Sequence, residues 1–137
     1  MKMTNKLADA LITLNEKLKP FLSTTQRAVL TGMLQGEEGD FFADKVAEIA
    51  KQIEDCPVTY ATQNQAEPLA SLHYFGGSYD AWIVEKDVIG GVEQAYGYAS
   101  FAGKGQGQFG YISIAELVEE GIELDLYWTP KPVVEFT

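Results

Sequence analysis

The chain has 137 residues, 46% hydrophobic and 12% aromatic, which suits one domain with a proper core and argues against disorder. Ten Lys and Arg against twenty Asp and Glu leave a net charge of −10 and a pI near 4.4, which argues against direct nucleic-acid binding through a basic patch. No run of about 18 apolar residues exists to span a membrane, and a single cysteine, Cys56, excludes an internal disulfide.

The N-terminus, MKMTNKLADALITLNEKLKP, lacks the apolar region and small-residue cleavage site of a secretory signal, so the expected location is the cytoplasm. Within it, Leu7, Leu11, Leu14 and Leu18 recur at helical spacing, which predicts a helix over 4–19, capped by Thr4 and stopped by Pro20. A second helix follows Ser23-Thr24-Thr25 and ends near Gly36, with Val29, Leu30, Met33 and Leu34 inward. A third runs from about Asp40 to Asp55, with Phe42, Val46, Ile49 and Ile53 on one face and Pro57 closing it.

After Pro57 the pattern changes. Residues 58–66 are a polar connector, with room for a short strand at its start. Strands are then expected at Leu69–Phe75, Tyr79–Glu85, Glu93–Phe101 and Phe109–Ile112. In the second, Ala81, Ile83 and Glu85 alternate against Trp82 and Val84. The first two strands are joined at Gly76-Gly77, and GKGQGQ at 103–108 is a glycine hairpin loop rather than a phosphate loop. Ser113-Ile114-Ala115-Glu116 has capping-box spacing and starts a short helix that ends at Gly121. Ile122–Trp128 is a last strand, ended by Pro130 and Pro132. The expected fold is α+β: N-terminal short helices on a four- or five-stranded antiparallel meander, with a short helix before the last strand. Residues 1–137 read as a single domain, helical over 1–57 and sheet over 58–137.

The motifs of the sheet part are familiar. Gly110, Tyr111, Ser113, Glu116 and Leu117 are followed by Asp125, Leu126, Tyr127, Trp128, Pro130, Lys131 and Pro132. Over about 69–134 the chain resembles an uncharacterised domain family of bacterial plasmids, integrative elements and prophages. Its members carry a Gly-Tyr-hydrophobic-Ser-hydrophobic-x-Glu-Leu motif and an Asp-Leu-Tyr/His-aromatic-x-Pro-Lys-Pro tail. Ile114 departs mildly from the leucine usual there, and the segment Thr24–Leu30 is also similar. The resemblance implies no activity. It implies a context, near anti-restriction and other anti-defence genes of mobile elements.

All of the net charge belongs to residues 54–137, which hold thirteen acids and only three lysines. Glu116, Glu119, Glu120, Glu123 and Asp125 fall within ten residues, the four glutamates at spacings of three and four. They read either as a solvated helix face or as a negative patch for a basic partner. The aromatics are too many for one sheet face, so some, with Tyr79, Trp82 and Trp128 as candidates, are expected to anchor a partner.

His73 is the only histidine, and with Cys56 it does not make a zinc ligand set. The expectation is therefore a protein with no catalytic residues, no metal and no cofactor. It would bind a host or element-encoded protein with a basic surface, as an inhibitor of a host defence system of the anti-CRISPR or anti-restriction kind. The alternatives are a small enzyme using His73 with Asp80 or Glu85, and an accessory module for plasmid or phage maintenance.

Overall fold

A computed structural model describes residues 4–102 and 105–137; Gly103 and Lys104 of the expected glycine loop lie outside the described residues. Helix α1 (Asn5–Thr13) starts at Thr4, whose hydroxyl accepts the Leu7 N–H at 3.1 Å. The helical path continues through a wider turn at Leu14–Leu18 and a tighter one at Lys19–Phe21, so Pro20 sits inside the last turn instead of stopping the helix before it. Helix α2 spans Thr24–Leu34, with Ser23 as its cap, and α3 spans Gly39–Asp55. On α3 all four expected apolar positions are buried.

Helix α2 is turned from its expected orientation. Gln26, Leu30 and Leu34 face inward, while Val29 and Met33 are exposed. The cause is Gln26, whose side-chain amide bonds buried backbone of the last sheet strand and so rotates a polar position into the core.

The sheet part begins with a single bridge between Val58 and Lys86. Strands β1 (Leu69–Ala70), β2 (Leu72–Gly76), β3 (Tyr79–Glu85), β4 (Ala95–Ser100) and β5 (Gln108–Ile112) follow, then helix α4 (Ile114–Glu119), β6 (Glu123–Leu124) and β7 (Lys131–Pro132). The main sheet has the order β5-β4-β3-β2-β6, antiparallel throughout, and β1 and β7 form a second antiparallel pair. The first four of those five strands are the expected meander. The fifth is not its next neighbour: α4 carries the chain back, so β6 lies beside β2 at the opposite edge.

The expected strand Leu69–Phe75 is divided at Ser71 into β1 and β2, which belong to different sheets, and the last strand and its proline ending differ as well. Ile122–Trp128 pairs only at Glu123–Leu124, because the Asp125 carboxylate accepts the Tyr127 N–H at 3.0 Å and bends the chain into a turn. The proline tail does not simply end there, since Lys131-Pro132 pairs with Leu69-Ala70.

Both faces of the sheet are covered. One carries Leu72, Tyr74, Ala81, Ile83, Ala95 and Ile112 against Leu14, Leu18, Leu30, Leu34, Val46 and Ile49 of the helices, so the two parts of the chain share this core. The other carries Trp82, Val84 and Tyr98 beneath Trp128, Val133 and Phe136 of the C-terminal segment. The alternation of β3 accounts for this as far as Val84. Between Ile83 and Glu85 the register with β4 slips by one residue, and Glu85 lies opposite Tyr96. That bulge moves Glu85 off the helix-facing side, where alternation alone would put it. Gly97 sits at the same place because a β-carbon there would run into the Trp82 carbonyl.

Candidate functional site

Helix α4 presents the acids. The Ser113 hydroxyl accepts the Glu116 N–H at 3.1 Å, which is the serine half of the expected capping box. The helix closes on Gly121 at φ +85°, with Gly121 N–H to Val118 and Ile122 N–H to Leu117 at 2.9 Å, the paired bonds of a Schellman ending. Ile114 is fully buried and Leu117 packs on the helix-facing core. Glu116, Glu119 and Glu120, and Glu123 just beyond, are therefore left exposed on the outer side.

Between α4 and the far ends of β2–β5 runs a groove of about 530 Å³. Its acids are Glu116 and Glu120, its aromatic floor is Tyr79 and Phe101, and Leu117 and Ile122 complete the apolar wall. The rings of Tyr79 and Phe101 lie 4.9 Å apart, and Phe101 is 75% exposed. Tyr79 is half buried; burial, and then the Glu120 carboxylate, push its phenol above its ordinary pKa. Three of the expected partner-facing residues, Glu116, Glu120 and Tyr79, thus meet in one depression. Glu119 and Glu123 flank it. Phe101 was legible only as one aromatic among many at the end of a strand.

The acids of this region form no ion pair with another described residue. Among the described residues, the ion pairs made by lysine are Lys6–Asp44, Lys45–Glu48 and Lys51–Asp55, all within the helical part. The acids of α4 have no such partner.

The remaining expected site residues go elsewhere. Trp82 and Trp128 are not partner-facing: they are 4% and 8% exposed, because the C-terminal segment folds over that face of the sheet. The Trp128 indole N–H donates to the Ala70 carbonyl at 2.8 Å. Asp125 leaves the acidic patch as well. It meets His73 Nδ1 at 3.1 Å, while Asp80 meets Nε2 at 2.8 Å, and the imidazole lies almost parallel to the Trp82 ring with centroids 5.4 Å apart.

Glu85, the other carboxylate considered for His73, is nowhere in this arrangement. It is 4% exposed and accepts the N–H groups of Tyr60 and Thr62 and the Thr62 hydroxyl. Cys56 belongs to the helix-facing core, where burial raises its thiol pKa. No helix among the described residues is long and apolar enough to cross a membrane, and no cluster of three or more His, Cys, Asp and Glu side chains there is placed to hold a metal.

No protein-family model, curated protein or solved structure matches the chain.

The arrangement bears on chemistry in two ways. His73 has both ring nitrogens within hydrogen-bond distance of carboxylates, Asp125 on one side and Asp80 on the other, so the imidazole is held in place between them. The groove offers exposed ring surface, an apolar wall and, at its rim, carboxylates that form no ion pair among the described residues. Those are the elements of a binding surface with an aromatic anchor.

Proposed function

We propose that this chain is a non-catalytic binding protein whose α4 groove receives a basic protein surface. The observation that carries the reading is the meeting of Tyr79 and Phe101 with Glu116 and Glu120 in a groove whose acids form no ion pair among the described residues. The exposed rings supply desolvated contact area, and the acids supply attraction and orientation toward Lys and Arg. A surface of that chemistry is what nucleic-acid-binding proteins present. With the mobile-element context implied by the resemblance, the reading extends to an inhibitor of a host defence system that occupies such a surface. The engagement of both His73 nitrogens favours this reading over an enzyme built on His73.

The test is capture. The wild-type chain and a Glu116→Gln/Glu120→Gln variant are immobilised and exposed to a bacterial lysate at low and high salt. The expected result is a protein rich in Lys and Arg that the wild type retains, that salt releases and that the variant fails to retain. Equal retention by the two would overturn the reading.

A further inference from the structure

On the opposite face from the helices, at the β5 edge, lies a second depression that the α4 reading does not use. It is a cleft of about 390 Å³, within the size range of small-ligand sites. Its walls include Tyr60, Tyr96, Phe109 and Tyr111, and Glu85 is at its base. The Tyr96 and Phe109 rings are near parallel, at 16° with centroids 6.1 Å apart, and Tyr111 stands at 73° to Tyr96. The Tyr60 and Tyr111 hydroxyls meet at 2.8 Å, which joins the connector to the sheet edge. Tyr60, Phe109 and Tyr111 are all about half exposed or more, so aromatic surface faces the opening.

Three features mark the cleft as built. The bulge in β3 turns Glu85 from the helix side toward Tyr96. Tyr60 is the single non-glycine with positive φ among the described residues, at +74°, a conformation that costs energy and is held by its N–H bond to Glu85. Finally, Glu85 is 4% exposed, yet its three donors are all neutral, and no Lys, Arg or His among the described residues lies within ion-pair distance of it. A buried carboxylate ordinarily has a cation beside it. Aromatic rings lining a cleft with such a carboxylate offer negative ring faces beside a counter-charge, which is the chemistry that recognises an alkylammonium head.

We infer that this cleft binds an organic cation of the methylated-ammonium class, with Tyr60, Tyr96, Phe109 and Tyr111 around the head and Glu85 as its counter-charge. The head belongs either to a free small molecule or to a methylated lysine side chain, and the same titration separates the two.

The test is an NMR titration of the full ¹⁵N-labelled chain at constant ionic strength with choline, with its uncharged isostere 3,3-dimethyl-1-butanol, and with a short peptide carrying trimethyllysine. Choline is expected to shift the amides of Tyr60, Thr62 and Tyr111 saturably, and the alcohol to bind at least about tenfold more weakly. Tyr111→Leu keeps apolar bulk but removes the ring and the hydroxyl; it should weaken choline by about tenfold with an unchanged melting temperature. Glu85→Gln should also weaken choline, with a lower melting temperature because its amide nitrogen would face a backbone N–H of the 59–64 turn; Tyr111→Leu tests the site with that turn intact. A peptide that binds more tightly than choline assigns the site to a protein side chain, and the reverse assigns it to a free cation; both support the site. Equal binding of alcohol and choline, unaltered choline binding by Tyr111→Leu, or no shift up to about 10 mM would each overturn it.

Discussion

Gln26 and Leu124, 98 residues apart, bond each other twice: the Gln26 amide nitrogen donates to the Leu124 carbonyl at 2.7 Å, and its oxygen accepts the Leu124 N–H at 2.9 Å. A side chain of α2 thereby completes the hydrogen bonding of β6, a two-residue edge strand that has no further neighbour in the main sheet. The contact fastens the segment after α4 to the helical part, and so helps to fix where the acidic face sits.

Gln26→Ala should leave both backbone groups of Leu124 buried without partners. The expected loss is about 2–4 kcal/mol, from an unpaired donor and an unpaired acceptor. Urea denaturation checks this. A loss within about 0.5 kcal/mol of the wild type, the range of ordinary surface substitutions, would mean that water reaches the β6 edge and the pairing is dispensable.

What the sequence disclosed, and what it did not, follows from how far apart the causes lie. Strand β3 is read to the residue from its alternation, and its two faces lie where the pattern puts them as far as Val84, because local side-chain period is a local property. The bulge that re-aims Glu85 depends on register with β4 and leaves no mark within β3 itself. The burial of Gln26 in place of Val29 and Met33 depends on backbone about a hundred residues away. Trp82 and Trp128 were expected to face a partner because the aromatics are too many for one sheet face. The tail residues Val133 and Phe136 close their face, and the apolar character of that tail after the prolines was the one available signal. Of the candidate site, the acids of α4 and Tyr79 were legible; that Asp125 belongs to His73 was not, since it rests on a pairing across 52 positions.

His73→Ala removes two carboxylate contacts and a ring stacked on Trp82. The imidazole is 14% exposed and the two aspartates under a third, so the contacts are only partly screened. A destabilisation of about 2–3 kcal/mol is expected, with retention of the captured partner unchanged once the protein is folded. The measurement is a pair of denaturation curves beside the capture assay. Loss of a measurable activity by 100-fold or so with an unaltered melting temperature would instead make His73 a general base and favour an enzyme.

Tyr74 is fully buried and donates its hydroxyl to the Phe21 carbonyl at 2.7 Å, and burial holds its phenol well above the ordinary 10.0. In the unfolded chain that phenol ionises near 10.0, so above that pH the folded state binds more protons than the unfolded one. Its stabilising contribution is complete below pH 10 and is lost as the pH rises further. The Cys56 thiol, raised by burial from 9.0, acts in the same direction from about one unit lower. The melting temperature should therefore fall on the alkaline side, beginning near pH 9, without help from the exposed lysine pairs. Tyr74→Phe should cost about 1 kcal/mol at neutral pH and flatten the slope above pH 10. Parallel slopes in the two proteins would show that other groups govern alkaline unfolding.

The groove prediction concerns both the acids that rim the depression and those beside it, and the ring between them. Glu116 and Glu120 line the depression with Tyr79 and Phe101, while Glu119 and Glu123 are exposed outside it. Replacing Glu119, Glu120 and Glu123 by glutamine should not unfold the chain, because it relieves like charges at helical spacing. It should slow association with the captured partner and flatten its salt dependence, since exposed charges act over a screening length of about 8 Å at physiological salt. Phe101→Ala, at a residue 75% exposed, should leave stability within about 0.5 kcal/mol. It should also speed dissociation by tenfold or more, as loss of an aromatic anchor worth about 2 kcal/mol would. The two effects belong to different rate constants, so surface plasmon resonance at low and high salt resolves them. If the charge variant keeps the wild-type salt slope, the α4 acids are a solvated helix face. If Phe101→Ala also leaves the dissociation rate unchanged, the groove is not where the partner sits, and the binding reading of this face falls.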